Sequence, residues 1–241
     1  QLMFNAVDII VVGRFSGSQA LAAVGSTTAL INVFVNLFIG ISLGANVLAA
    51  RFYAAGKDRE MSETVHTSIT LALISGIMMA VIGVLLAKWA LEIMGTPDDV
   101  IGQSALYMRI YFMGMPFFML YNYGAAILRA IGDTKRPLIF LIISGIANAA
   151  LNMILVILFH MGVAGVAIGT IISQLISCVL VLTCLYRSEG SYQLRFSKLK
   201  INGAYMEQIF QVGVPAGIQS TVINLSNALL QSSVNSFGSI A

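Results

Sequence analysis

Five stretches without a single Asp, Glu, Lys or Arg constrain this chain more than any motif: Phe15 to Ala50, Thr64 to Ala87, Ile110 to Leu128, Pro137 to Tyr186 and Gln208 to Ala241. A helix needs roughly 20 apolar residues to cross the hydrocarbon core of a bilayer. The run from Pro137 to Tyr186 has no charged residue, with only His160 inside it, and it is long enough for two crossings that turn near His160-Met161-Gly162. Charged residues are 10% of the 241 and the mean hydropathy is +0.90. A soluble domain carries about 25% charged residues. Helices satisfy their own backbone hydrogen bonds in lipid, so the expected fold class is an all-α polytopic membrane protein.

Seven crossings are expected, over residues 1–14, 21–50, 64–88, 102–128, 137–159, 163–187 and 206–241. Ten of the thirteen basic residues fall in alternate connections: Arg51, Lys57 and Arg59; Arg129, Lys135 and Arg136; Arg187, Arg195, Lys198 and Lys200. Basic loops stay in the cytoplasm, so the first crossing runs outward. A seven-helix receptor starts outside, which argues against that class. Pro116 and Pro215 are expected to kink the fourth and seventh crossings. Mid-span glycines, Gly40, Gly44, Gly76, Gly83, Gly114, Gly124, Gly145 and Gly169, suit close helix packing. The chain opens and stops inside apolar stretches, so it reads as a fragment cut at both ends.

Asp8 stands in the first crossing, inside Leu2-Met3-Phe4-Asn5-Ala6-Val7-Asp8-Ile9-Ile10-Val11-Val12-Gly13. An acid at that depth costs a few kcal/mol and is a functional candidate by default. Binding a proton or a cation is the cheapest way to tolerate it, which points to a transporter coupled to an ion. The bland alternative is a structural carboxylate bonded to Asn5 or to a neighbouring helix.

The end of the chain echoes its beginning. Asn5-Ala6-Val7 matches Asn227-Ala228-Leu229, Val12 matches Val234, and Phe15 matches Phe237, at an offset of 222 residues. After one gap, Gly17-Ser18 matches Gly238-Ser239. That offset spans an even number of crossings and preserves orientation, as in the parallel repeats of several secondary transporters. Leu230 matches Asp8, so only the first copy carries an acid.

Phe112, Phe117, Phe118, Tyr121 and Tyr123, with Met113, Met115 and Met119, crowd the fourth crossing. They offer aromatic faces and adaptable thioethers to flat cations, or simply pack. Cys178 and Cys184 lie six apart on one expected helix and read as buried apolar residues rather than a disulfide or metal pair. His66 and His160 have no metal-ligand company, and no paired carboxylates or His-rich motif of a membrane enzyme occur.

Several segments, in order, resemble the multidrug and toxic compound extrusion (MATE) family. They are Asn5-Ala6-Val7-Asp8 through Arg14 with Ala20-Leu21-Ala22-Ala23-Val24-Gly25; Gly44-Ala45-Asn46 through Arg51 with Ala54-Ala55-Gly56-Lys57-Asp58; Leu128-Arg129-Ala130-Ile131-Gly132-Asp133-Thr134-Lys135-Arg136-Pro137; Gly162 through Thr170; and Gly213-Val214-Pro215-Ala216. The resemblance implies twelve helices in two six-helix lobes. Residues 1–200 would hold the first lobe with its first helix truncated, and residues 201–241 the approach and truncated first helix of the second.

The resemblance also implies a cation-coupled antiporter, not an enzyme, in a bacterial-type cytoplasmic membrane. It would export organic, often cationic, small molecules and work with the second lobe of the same chain. Its partners would include membrane lipids but no nucleic acid. No cofactor is implied beyond the coupling ion, a proton or sodium.

By the same resemblance, Asp8, Asn152 and Thr170 form the coupling-ion site. Tyr121, Phe117 and Met119, from the aromatic and methionine cluster of the fourth crossing, are candidates for the substrate cavity. Two positions depart from the family pattern. Val156 replaces an Asp common four residues after the Asn, and Ile223 and Asn224 stand where some sodium-coupled members carry a Glu. Hard cations want several oxygens, so the loss of these acids favours a proton over sodium. The rival from the same superfamily is a flippase for lipid-linked sugars, whose cavity would be more basic than this one.

Overall fold

The computed structural model describes residues 2–236. Eight α-helices account for nearly all of them: α1 (Leu2–Phe15), α2 (Gly17–Ala54), α3 (Asp58–Ile93), α4 (Asp98–Met113), α5 (Met115–Ala130), α6 (Lys135–Met153), α7 (Gly162–Arg187) and α8 (Gly203–Ser236). A π-helical turn, Ile154–Leu158, extends α6, and a short 3-10 turn, Phe196–Lys198, lies in the α7–α8 linker. No strand occurs among the described residues.

The helices are dressed inside out. On α3, Ala72, Ser75, Gly76, Met79, Gly83 and Ala87 face inward, while Ile74, Ile77, Met78, Val81, Ile82 and Leu85 are exposed. On α6, Ser144, Asn148 and Asn152 are buried, while Leu138, Ile139, Ile142, Ile143 and Ile146 are exposed. Water would penalise that exposed apolar surface; lipid does not. Asp58–Ile93, Lys135–Leu158 and Gly162–Arg187 each have the length and hydropathy of a span. The chain is a multi-pass integral membrane protein.

Small residues set the helix spacing. A side chain at Gly83 would strike the ring of Phe112, so this glycine is the notch that lets α4 lie on α3. Asn46 of α2 donates to the Ala126 carbonyl of α5 at 2.7 Å, a half-buried interhelical bond. Three connections gather at one end. Tyr53 meets Tyr192 edge to face at 6.4 Å, Arg136 reaches the Cys184 sulfur, and the Arg195 amide donates to His66. These connections hold the basic residues, so the charge asymmetry of the sequence becomes a basic end of the bundle.

One element differs from expectation. The fourth crossing, read as one helix over 102–128, is two helices broken at Gly114. The bend lies two residues before Pro116, because the proline sits in the first turn of α5, where its missing N–H costs nothing. A side chain at Gly114 would press on Ile171 of α7 at 2.9 Å, so the break is also a close contact. Pro215, expected to kink the seventh crossing, lies inside an uninterrupted α8. The turn at His160-Met161-Gly162 stands as expected, with left-handed backbone at His160 (φ 51°) and Gly162 (φ 54°). Of the repeat, Phe237, Gly238 and Ser239 lie outside the described residues, as do the side chains of Asn5, Asn227 and Leu230.

Candidate ion-coupling site

The site forms where α1 packs against α6 and α7. On α6, Ser144, Asn148 and Asn152 recur every fourth residue and so form one inward polar stripe. On α7, Thr170, Ser173, Gln174 and Ser177, three or four apart, form a second inward stripe. Between the two stripes lies Asp8, wholly buried.

The carboxylate is held by amide and hydroxyl donors. Asn152 Nδ2 donates to Asp8 Oδ1 at 2.5 Å and Thr170 Oγ1 donates to Oδ2 at 3.2 Å. Behind them, Asn148 Nδ2 donates to Thr170 Oγ1 and Asn152 Nδ2 also reaches Asn148 Oδ1, both at 3.3 Å. Thr170 has a second acceptor in reach, the Val166 carbonyl at 3.0 Å on its own helix. A hydroxyl carries one proton, so it serves either Asp8 or Val166 at a time. Asn152 Oδ1 is buried with no hydrogen-bond partner. An orphaned buried acceptor is costly, and here it sits beside the one acid of the site.

Described ion pairs are Arg59–Glu63, Lys88–Glu92 and Arg136–Asp133, and none includes Asp8. Nor does any group of three or more His, Cys, Asp or Glu occur among the described residues. Among the described residues, the side-chain oxygens that hydrogen bonds gather here are those of Asp8, Asn148, Asn152 and Thr170, and Val156, one turn past Asn152, adds none although it is buried.

The three candidates Asp8, Asn152 and Thr170 meet within hydrogen-bond distance. The other three do not join them. Met119 is fully buried in the helix core, and Tyr121, 5% exposed, spends its hydroxyl on the Pro137 carbonyl at 2.8 Å. Phe117 is half-buried at the start of α5. Tyr121 and Met119 thus lie in the packing between α5 and its neighbours, apart from Asp8. His66 has found backbone partners: its Nδ1 lies 2.6 Å from the Ser62 carbonyl and its Nε2 accepts from Arg195.

Two members of the site went unread in the sequence. Asn148 carried a signal, since it stands one helical turn before Asn152. Gly169 carried a weaker one. A side chain there would collide with Asn152 Oδ1, so this glycine makes room for the amide.

Comparison with known proteins shows the family of the chain. The MatE family model matches residues 1–154. "Probable multidrug resistance protein YoeA" of Bacillus subtilis is 34% identical over the whole chain, which covers 54% of that protein. "Multidrug export protein MepA" of Staphylococcus saprophyticus is 22% identical, with the whole chain covering 53% of it. A crystal structure of MATE in the bent conformation superimposes with a TM-score of 0.89 at 21% identity, over 97% of this chain and 52% of that one. The chain thus spans about half the length of the relatives it matches, and it belongs to the MatE family of multidrug and toxic compound extrusion proteins.

Proposed function

We propose that this chain is the ion-coupling part of an antiporter that exports organic, often cationic, compounds in exchange for protons. The observation that carries the reading is Asp8: an acid wholly buried between membrane helices, with amide and hydroxyl partners but no basic one among the described residues. Its partners suit both protonation states. Ionised Asp8 accepts from Asn152 and Thr170. Protonated Asp8 must donate, and Thr170 Oγ1 becomes its acceptor when the hydroxyl turns back to Val166. A site with two ready hydrogen-bond patterns loads and releases a proton without leaving either state unsatisfied. Exchange follows if one lobe arrangement favours the proton and the other the cargo, since a ligand shifts an equilibrium only by its differential affinity.

One observation favours sodium as the coupling ion instead. The orphaned Asn152 Oδ1 joins the Asp8 carboxylate, Asn148 and Thr170 as oxygen donors, the donor type hard cations select. In the full-length protein, Asp8→Asn is expected to cut gradient-driven dye transport in inverted vesicles at least about tenfold, the loss expected when one buried charged partner is removed, while membrane insertion stays normal. Wild-type transport by that variant removes Asp8 from the mechanism. Running the same assay with only a proton gradient or only a sodium gradient separates the two ions.

A further inference from the structure

A cleft of about 990 Å³ opens at the basic end of the bundle, between the start of α3 and the α7–α8 linker, apart from the residues around Asp8. Arg59, Ser62, His66, Ser197, Lys198 and Lys200 line it, with Glu63 as the one acid among its lining residues. That acid is already engaged: it lies 3.1 Å from Arg59 and accepts from Asn202 Nδ2 at 2.8 Å. Lys198 and Lys200 take part in none of the described ion pairs. The cleft therefore keeps an excess of positive charge. It is also a built feature rather than a loose loop. The linker is fixed at two points, by the Arg195 amide on His66 and the Asn202 amide on Thr67. Between them Leu199 packs on the hydrophobic core, while the lysines on either side of it stay exposed.

Beside the cleft, the linker meets the lipid boundary. On α7, Leu175 and Val179 are exposed and Leu182 is half-buried, and exposed Tyr186 continues that face at three- and four-residue steps. Phe196, 55% exposed, stacks on Tyr186 with ring centroids 5.8 Å apart. Exposed aromatic rings at a helix end sit at the level of the headgroups. Two residues further on, the chain enters the cleft at Lys198.

We propose that this cleft binds the phosphate headgroup of an anionic phospholipid from the leaflet at the basic end, with the acyl chains passing over the Tyr186–Phe196 pair into the bilayer. Charge selects the headgroup: basic pockets at the membrane surface take anionic lipids, and each lysine or arginine there strengthens binding about fivefold. The stacked pair selects lipid over a soluble anion, because it gives an apolar path from cleft to hydrocarbon that free phosphate would not use. Arg59 has two effects, adding a charge and offsetting Glu63. The site depends neither on the coupling ion nor on export.

The experiment uses the full-length transporter in nanodiscs of phosphatidylcholine, alone or with increasing phosphatidylglycerol, and reads acetylation of each lysine by mass spectrometry. Phosphatidylglycerol is expected to slow acetylation of Lys198 and Lys200 at least about fivefold, but not that of Lys135, which is exposed on another connection. Equal slowing at Lys135 would reveal a general surface-charge effect and overturn the site, as would no slowing at Lys198 and Lys200. Glycerol phosphate added to pure phosphatidylcholine discs is the soluble arm; protection as strong as that by the lipid overturns lipid as the occupant. Arg59→Gln leaves both reporting lysines in place. It is expected to raise the phosphatidylglycerol content needed for half-protection about fivefold, and an unchanged value counts against the cleft. Phe196→Ala is expected to raise that content as well; no change there overturns the path over the aromatic pair.

Discussion

At the scale of single residues, Gly169 makes the sharpest test of the site, because it acts only through what it lacks. Its absent side chain is the space that Asn152 Oδ1 occupies. Gly169→Ala should destabilise the protein by about 1–3 kcal/mol, the range for overpacking a filled interior. Most of that loss should vanish in Asn152→Ala, whose shorter side chain vacates the space. Thermal unfolding of the four detergent-solubilised proteins in this cycle checks it; equal losses in both backgrounds would show that Gly169 answers to some other neighbour. Asp8 was legible in the sequence because a charge in an apolar run is conspicuous. Asn152 and Thr170 were legible only through family likeness, since polar residues that bond across helices look the same as those that bond within one. Gly169 was visible as a small residue but not as the partner of Asn152, because that pairing exists only once α6 and α7 are side by side.

At the scale of elements, the α7–α8 linker is strapped to α3. Thr67 Oγ1 accepts from the Asn202 amide at 3.1 Å, Glu63 Oε2 accepts from Asn202 Nδ2 at 2.8 Å, and His66 accepts from the Arg195 amide. Residues 63, 66 and 67 share one face of α3, so a single helical turn carries the attachment. Each lost hydrogen bond is worth about 1 kcal/mol, roughly fivefold in the released population. Thr67→Val with Glu63→Gln should therefore speed tryptic cleavage at Arg195, Lys198 and Lys200; an unchanged cleavage rate would mean the strap is held elsewhere. The crossings themselves were readable, since apolar length and basic loops are local signals. The break at Gly114 and the π-helical turn at Ile154–Leu158 were not. The first is set jointly by Pro116 and by Ile171 on another helix, and the second falls in a run, Ile154-Leu155-Val156-Ile157-Leu158, with no glycine or proline to mark it.

At the scale of the whole molecule, the inside-out dressing of α3 and α6 fixes where lipid lies. Ile142 is 53% exposed on the outer face of α6, opposite the stripe of Ser144 and Asn148. Ile142→Lys places a charge against lipid near the middle of a span, at a cost of about 2.5–3.5 kcal/mol on insertion scales. The membrane-inserted fraction, read by protease protection, should fall accordingly, whereas Ser144→Ala on the hidden face should leave it unchanged. Equal insertion of Ile142→Lys would put that face against protein instead.

The strap on α3 also bears on how the polypeptide survives injury. A break between Glu189 and Gly190 would leave the downstream piece moored through Arg195 and Asn202. The two fragments, made from separate genes, would then meet as neighbours already shaped to fit rather than as strangers diffusing in the bilayer.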